Sequence, residues 1–217
     1  MMHMPDNAIT LAAAGASLKD ARAAVVMLHG RGGSAEDILS LAGEFRQADL
    51  AYLAPQAPGH TWYPQSFLAP LEQNEPYLSR SLATVDAVVR DLDGRGMTSD
   101  RVVLIGFSQG GCLALEYVAR NAKRYGGVAG LSAGLIGPPG LTRDYQGSFD
   151  GTPVFLGCSD IDSHIPLERV HVSTQMLTAL KAMVTERIYP RMGHTINRDE
   201  IAQVRGLLEG VSRAQAA

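Results

Sequence analysis

Three observations predict an α/β fold: one mostly parallel central sheet with helices on both faces. Short runs of branched apolar residues alternate along the chain with segments of helical periodicity. Several of these runs, at 23–28, 50–54 and 102–105, are apolar at consecutive positions rather than at every second one, as strands covered on both faces must be. Several end in loops that open directly into the next helix, the layout that right-handed crossovers between parallel strands require.

The elements follow in order. A weak first strand over residues 8–11 is expected to add an antiparallel edge. RAAVVML at 22–28 reads as a strand, and it runs into the glycine-rich loop His29-Gly30-Arg31-Gly32-Gly33. A helix then begins near Ser34, with Glu36 and Asp37 in its first turn, where carboxylates complement the positive end of the helix dipole. Residues 50–54 form a strand and 77–93 a helix. Residues 101–105 form a further strand and 112–121 a helix, whose Cys112, Leu113, Leu115 and Val118 recur at helical spacing. Strands at 127–132 and 153–158, a helix at 166–183, a strand at 185–189 and a helix at 199–209 complete the series. Segments 54–75, with Pro55, Pro58, Pro64 and Pro70, and 134–151 read as long loops. Loops of that length in a compact fold tend to carry function, and at strand C-termini they frame a ligand.

Composition bounds the rest. The 217 residues, 46% of them apolar, suffice for one core, so a single domain over residues 1–217 is expected, with no separate lid domain. Nineteen basic against 22 acidic residues give a formal charge of −3, and no cluster of lysine or arginine offers a surface for nucleic acid. A small neutral molecule suits that balance better. Two cysteines, Cys112 and Cys158, make no disulfide framework and no metal-binding pair, which points to buried thiols and a cytoplasmic setting. The N-terminal stretch lacks the basic segment and sustained apolar core of a secretory signal, and no run has membrane-spanning length, so stable membrane insertion is not expected. A homodimer through an exposed loop or sheet edge is compatible with the fold.

The chemistry centres on GFSQG at 106–110. In a strand-turn-helix context the pattern GxSxG places a serine on a turn too tight for larger neighbours, at the C-terminal edge of a sheet and beside a helix N-terminus. Free N–H groups and the helix dipole there favour a developing negative charge. Ser108 is therefore the candidate nucleophile. It needs a base, and the base needs a carboxylate to orient it. Of six histidines, His194 in YPRMGHTIN lies directly after the last strand and before the last helix, where a site at the sheet edge requires it. For the acid, GCSDIDSHIP at 157–166 offers both Asp160 and Asp162. The order Ser, Asp, His along the chain agrees with a nucleophile turn followed by two later strand-end loops.

With these parts together, the chain resembles the phospholipase/carboxylesterase family of lidless α/β-hydrolases, which includes bacterial carboxylesterases and acyl-protein thioesterases. The likeness covers nearly the whole chain and rests on LHGRGG at 28–33, GFSQGG at 106–111, the D-x-x-[VI]-P pattern from Asp162 to Pro166, and RMGH at 191–194. It implies Asp162 rather than Asp160 as the acid, and it implies backbone N–H groups of Arg31 and Gln109 as donors to the oxyanion. It leaves His29 as a brace between loops, not a second base. Two departures stand out: Arg191 where the family often has glycine, and Ser163 where proline often follows the acid. HTWYPQSFLAP at 60–70 resembles the corresponding stretch of small bacterial esterases. Its Trp62, Tyr63 and Phe67 either wall an acyl or alcohol pocket or simply cover the core.

The expected activity is hydrolysis of small, short-chain carboxylic esters through an acyl-enzyme, with no metal or organic cofactor. A thioesterase or lysophospholipase with the same triad is the nearest alternative. A non-catalytic binding domain of the same fold is the alternative of another class.

Overall fold

The computed structural model describes residues 9–214. Seven strands form one sheet: β1 (Leu11–Gly15), β2 (Ala23–Leu28), β3 (Leu50–Pro55), β4 (Val102–Phe107), β5 (Gly127–Leu131), β6 (Pro153–Ser159) and β7 (Met183–Tyr189). Their spatial order is β1-β3-β2-β4-β5-β6-β7. Only β1 is antiparallel, pairing with β3 from Leu11 opposite Pro55 to Gly15 opposite Ala51.

The uniformly apolar strands follow from burial on both faces. Along β2, Ala24, Val26 and Leu28 enter one core while Ala23, Val25 and Met27 enter the other. The first core lies under α3 (Tyr77–Gly94), α4 (Gln109–Arg120) and α5 (Leu167–Ala179). The second lies under α1 (Ala35–Leu39), the short α2 (Ala42–Phe45) and α6 (Arg198–Ala214), which contributes Val204, Leu208 and Val211. Edge strand β7 is the exception, half-buried and exposed by turns, with Met183 64% exposed.

Several boundaries differ from the sequence expectation. The first strand lies at Leu11–Gly15 rather than 8–11, and Ala8 falls outside the described residues. The helix expected at 166–183 ends at Ala179, because Lys181 turns into the left-handed region at φ 66° and Met183 already pairs with Pro153 in the sheet. Strand β4 continues through Gly106 to Phe107, and the helix after it starts at Gln109. The four-residue α2 is too short for periodicity to reveal. The long loop after β5 is partly interior: Leu135, Ile136 and Phe149 are fully buried and cover the first core.

All the β4–β7 strands run parallel. The loops after β2, β4, β6 and β7 therefore converge at one edge of the sheet, and they carry Arg31, Ser108, Asp162 and His194. Among the described residues, no helix is long and apolar enough to cross a membrane.

Candidate active site

Ser108 is the single residue between β4 and α4, with φ 53° and ψ −121°, a conformation that a residue with a side chain adopts only under constraint. The constraint is visible. Its N–H donates to the Leu131 carbonyl at 2.9 Å, and its own carbonyl accepts from the Cys112 N–H at 2.9 Å. Close backbone packing does the rest: a methyl group on Gly106 would overlap the Gly110 carbonyl, and one on Gly110 would overlap the Leu28 and His29 carbonyls. The turn thus seats α4 directly on the end of β2.

His194 reaches Ser108 from the loop between β7 and α6. Its Nε2 lies 2.8 Å from Ser108 Oγ, and its Nδ1 lies 2.7 and 3.0 Å from the two oxygens of Asp162. A carboxylate only accepts, so Nδ1 carries the proton and Nε2 is free to accept from the serine hydroxyl. The ring is packed against Phe107 and His164, with centroids 5.0 and 4.6 Å away.

Asp162 is fully buried at its side chain. Burial alone would push its pKa up. The His194 ring and the N–H groups of His164 and Ile165, which donate to Oδ1 at 2.8 and 3.0 Å, outweigh that effect and hold the carboxyl below its ordinary range. The group is thereby kept ionised near neutral pH. Asp160 does something else: its Oδ1 accepts from the Arg191 N–H at 2.7 Å. Arg191 sits at φ 54°, where a glycine would be unstrained, so Asp160 fixes the turn that leads to His194. Ser159 supports the same turn, its Oγ accepting from the Gly193 N–H at 3.1 Å.

Arg31 and Gln109 both border the cavity in front of Ser108, and the Gln109 N–H opens α4, with no helical carbonyl to receive it. The cavity has a volume of about 460 Å³. Its walls include residues 63–67, Phe107, Cys112 and Ile165. Tyr63 and Phe67 are among them, but Trp62 is not. The indole N–H of Trp62 donates to the His29 carbonyl at 2.8 Å, and the ring is buried against the His29 ring, so it braces two loops behind the cavity.

His29 is likewise a brace. Its Nδ1 is 2.8 Å from the Gly30 carbonyl, to which it donates, while Nε2 accepts from the Ala57 N–H at 3.1 Å. Burial lowers its pKa, which keeps the ring neutral for that pair of bonds. Cys112 and Cys158 are free and buried, and burial pushes each thiol up to about 12, so neither is an activated nucleophile.

Sequence reasoning missed the side chains that hold the walls. The Arg31 guanidinium, the Gln109 amide and Asn74 all bond to the 62–67 segment. Long-range bonds of this kind leave no local pattern. Glu200 was also missed, although Asn197-x-x-Glu200 is a readable capping signal: the Asn197 N–H donates to Glu200 Oε2 at 2.8 Å and the Glu200 N–H to Asn197 Oδ1 at 2.9 Å.

Comparison with known proteins agrees with this architecture. A phospholipase/carboxylesterase from Dyadobacter fermentans is 41% identical in sequence, and its crystal structure superimposes with a TM-score of 0.90 over 96% of this chain and 100% of that one. Acyl-protein thioesterase 1 of Emericella nidulans is 28% identical over 92% of this chain and 94% of its own length. The same-named protein of Gibberella zeae is 31% identical, over a stretch covering 52% of this chain and 49% of that protein. The sequence model of the phospholipase/carboxylesterase family matches residues 12–212. On that match, which takes in the serine turn and both later loops, the chain belongs to the phospholipase/carboxylesterase family of α/β-hydrolases.

Proposed function

We propose that this chain is a serine carboxylesterase that hydrolyses small, short-chain carboxylic esters through an acyl-enzyme. The observation that carries the reading is the continuous hydrogen-bonded chain Ser108–His194–Asp162, opening on the 460 Å³ cavity. Ser108 Oγ attacks the ester carbonyl carbon as His194 Nε2 takes its proton. The imidazolium that forms is stabilised by Asp162, and it then protonates the leaving alcohol. A water molecule repeats the sequence on the acyl-enzyme, releasing the acid and restoring Ser108.

The backbone N–H groups of Arg31 and Gln109 act as the oxyanion donors, each contributing roughly 3 to 4 kcal/mol to the tetrahedral transition state. The strained φ at Ser108 is consistent with a hydroxyl held out from the backbone toward the cavity. Tyr63 and Phe67 supply apolar wall.

A thioesterase reading has support of its own, since relatives over most of this chain bear the name acyl-protein thioesterase 1. The same three side chains serve either ester. Preference for acyl groups of ten or more carbons on a panel of oxygen esters and thioesters would favour that alternative.

Ser108→Ala is expected to reduce turnover of p-nitrophenyl butyrate by roughly ten-thousand-fold and to abolish labelling by a fluorophosphonate probe. Full turnover by the variant would refute the reading. An unlabelled wild-type protein would point instead to a binding domain of the same fold.

A further inference from the structure

Residues 63–67 form one continuous wall of the cavity, and the main chain there is held from two sides. From beneath, buried side chains and one backbone N–H hold the main chain of residues 62–67. Gln109 Oε1 accepts from the Trp62 N–H at 3.0 Å and Gln109 Nε2 donates to the Tyr63 carbonyl at 2.7 Å. Asn74 accepts from the Gln65 N–H at 2.8 Å and donates to the Ser66 carbonyl at 3.0 Å. Ser81 Oγ donates to the Trp62 carbonyl at 2.6 Å, and the Gly137 N–H donates to the Phe67 carbonyl at 2.7 Å.

The outer side depends on one group. The Arg31 guanidinium donates to three successive carbonyls, those of Tyr63 at 3.0 Å, Pro64 at 3.0 Å and Gln65 at 2.7 Å. Proline has no N–H, so its carbonyl is the sole main-chain handle on Pro64. A planar guanidinium can meet three fanned carbonyls at once, which a single ammonium cannot do with comparable geometry. Spent on main-chain oxygens, it serves as a tether and not as a receptor for an anionic substrate.

Resting on the ester-hydrolase reading above, we propose that the Arg31 side chain is a specificity-determining clip: it holds 63–65 against the loop after β2, fixes the width of the cavity, and thereby limits the size of ester that fits. This role is separate from that of the Arg31 backbone N–H. The wall acts as a fixed edge, so discrimination by size is steep where the clip is intact. Discrimination of tenfold or more per added methylene is available to a pocket of fixed dimensions.

The test is kcat/KM on two ester series, p-nitrophenyl esters from acetate to decanoate and butyrates of increasingly bulky alcohols, for wild type, Arg31→Met and Arg31→Lys. Methionine keeps an apolar stem without the donors. Arg31→Met is expected to raise the octanoate-to-butyrate ratio, or the corresponding bulky-to-small alcohol ratio, by about fivefold or more, through a lower KM for the larger ester. Arg31→Lys should fall between. Because Arg31 is exposed, both variants should melt within a few degrees of wild type.

A merely structural role would lower all esters by a common factor. Profiles of both variants that superimpose on wild type after scaling, in both series, would overturn the clip while leaving an active, Ser108-dependent wild type intact. Loss of Ser108-dependent turnover in the wild type itself would instead defeat the ester-hydrolase reading, and the clip with it.

Discussion

The two halves of the site are held in place by different physics. Around Ser108 the geometry is set by backbone packed against backbone, with glycines at 106 and 110 because a Cβ would overlap neighbouring carbonyls. Around His194 and Asp162 it is set by backbone N–H groups that donate to side-chain oxygens. Asp160 holds Arg191, Ser159 holds Gly193, and Asp162 is held in turn by the N–H groups of His164 and Ile165. The contrast implies different tolerance to change. Steric packing fails abruptly, while a hydrogen-bonded loop loses its members by degrees.

The sharpest way to break the comparison lies in the loop with two aspartates. Asp162→Asn should lower kcat for p-nitrophenyl butyrate by roughly a thousand-fold or more, because an amide cannot stabilise the imidazolium and disturbs the tautomer. Asp160→Asn should cost less than about tenfold, since it alters only the turn at Arg191. Equal losses, or a loss confined to Asp160→Asn, would reverse the assignment. The pair also measures how far a bond outside the Ser–His–Asp chain is felt within it.

The same division explains what was legible in the sequence. The serine turn could be read from a short string because its steric demands are local: G, S and G at fixed spacing after an apolar run. The strands were legible for a related reason, since burial on both faces leaves no polar residue to blur β2 or β4. Strand-end position alone left Asp160 and Asp162 equivalent; the family's D-x-x-[VI]-P pattern favoured Asp162, and the fold turns Asp160 toward Arg191 and Asp162 toward His194. Trp62 shows the limit from another side. An aromatic residue in a long loop looks like a pocket wall, yet its indole N–H is committed to a carbonyl of residue 29, a partner that no local pattern reveals. The Arg31 guanidinium was hidden in the same way, behind contacts more than thirty positions away.

The abrupt side of the comparison is tested by Gly110→Ala. The added methyl group would overlap the Leu28 and His29 carbonyls, both main-chain atoms of a buried strand end that cannot rotate away. Relief would require α4 to lift from β2, at a cost of about 3 kcal/mol in a well-packed interior. Denaturant unfolding should show that loss, with activity falling further as Ser108 and the loop at Gly30 separate. A variant with wild-type stability and turnover would mean that the turn is less tightly packed than the geometry indicates.

The subtlest test concerns Glu200, which is fully buried at the start of α6 and whose Oε1 has no hydrogen-bond partner. Burial pushes its carboxyl up to about 7 despite the Asn197 N–H, which acts in the opposite direction, and the charges of Asp199 and Asp162 add to the rise. Below the unfolded value of 4.5 both states are protonated and the group exerts no pH-dependent effect. As pH climbs from there toward 7 the unfolded chain ionises first, so stability falls, by about 3 kcal/mol once the folded carboxyl has also ionised. Asp162 has the opposite sign: its depressed pKa adds stability near neutral pH that is lost on acidification. Glu200→Gln should therefore gain on wild type between about pH 4.5 and 8 in denaturant unfolding while following it on the acid side, where the loss belongs to Asp162. Parallel curves across the whole range would show that Glu200 ionises as readily inside the fold as outside it, and that the cap at α6 holds a carboxylate at no electrostatic cost.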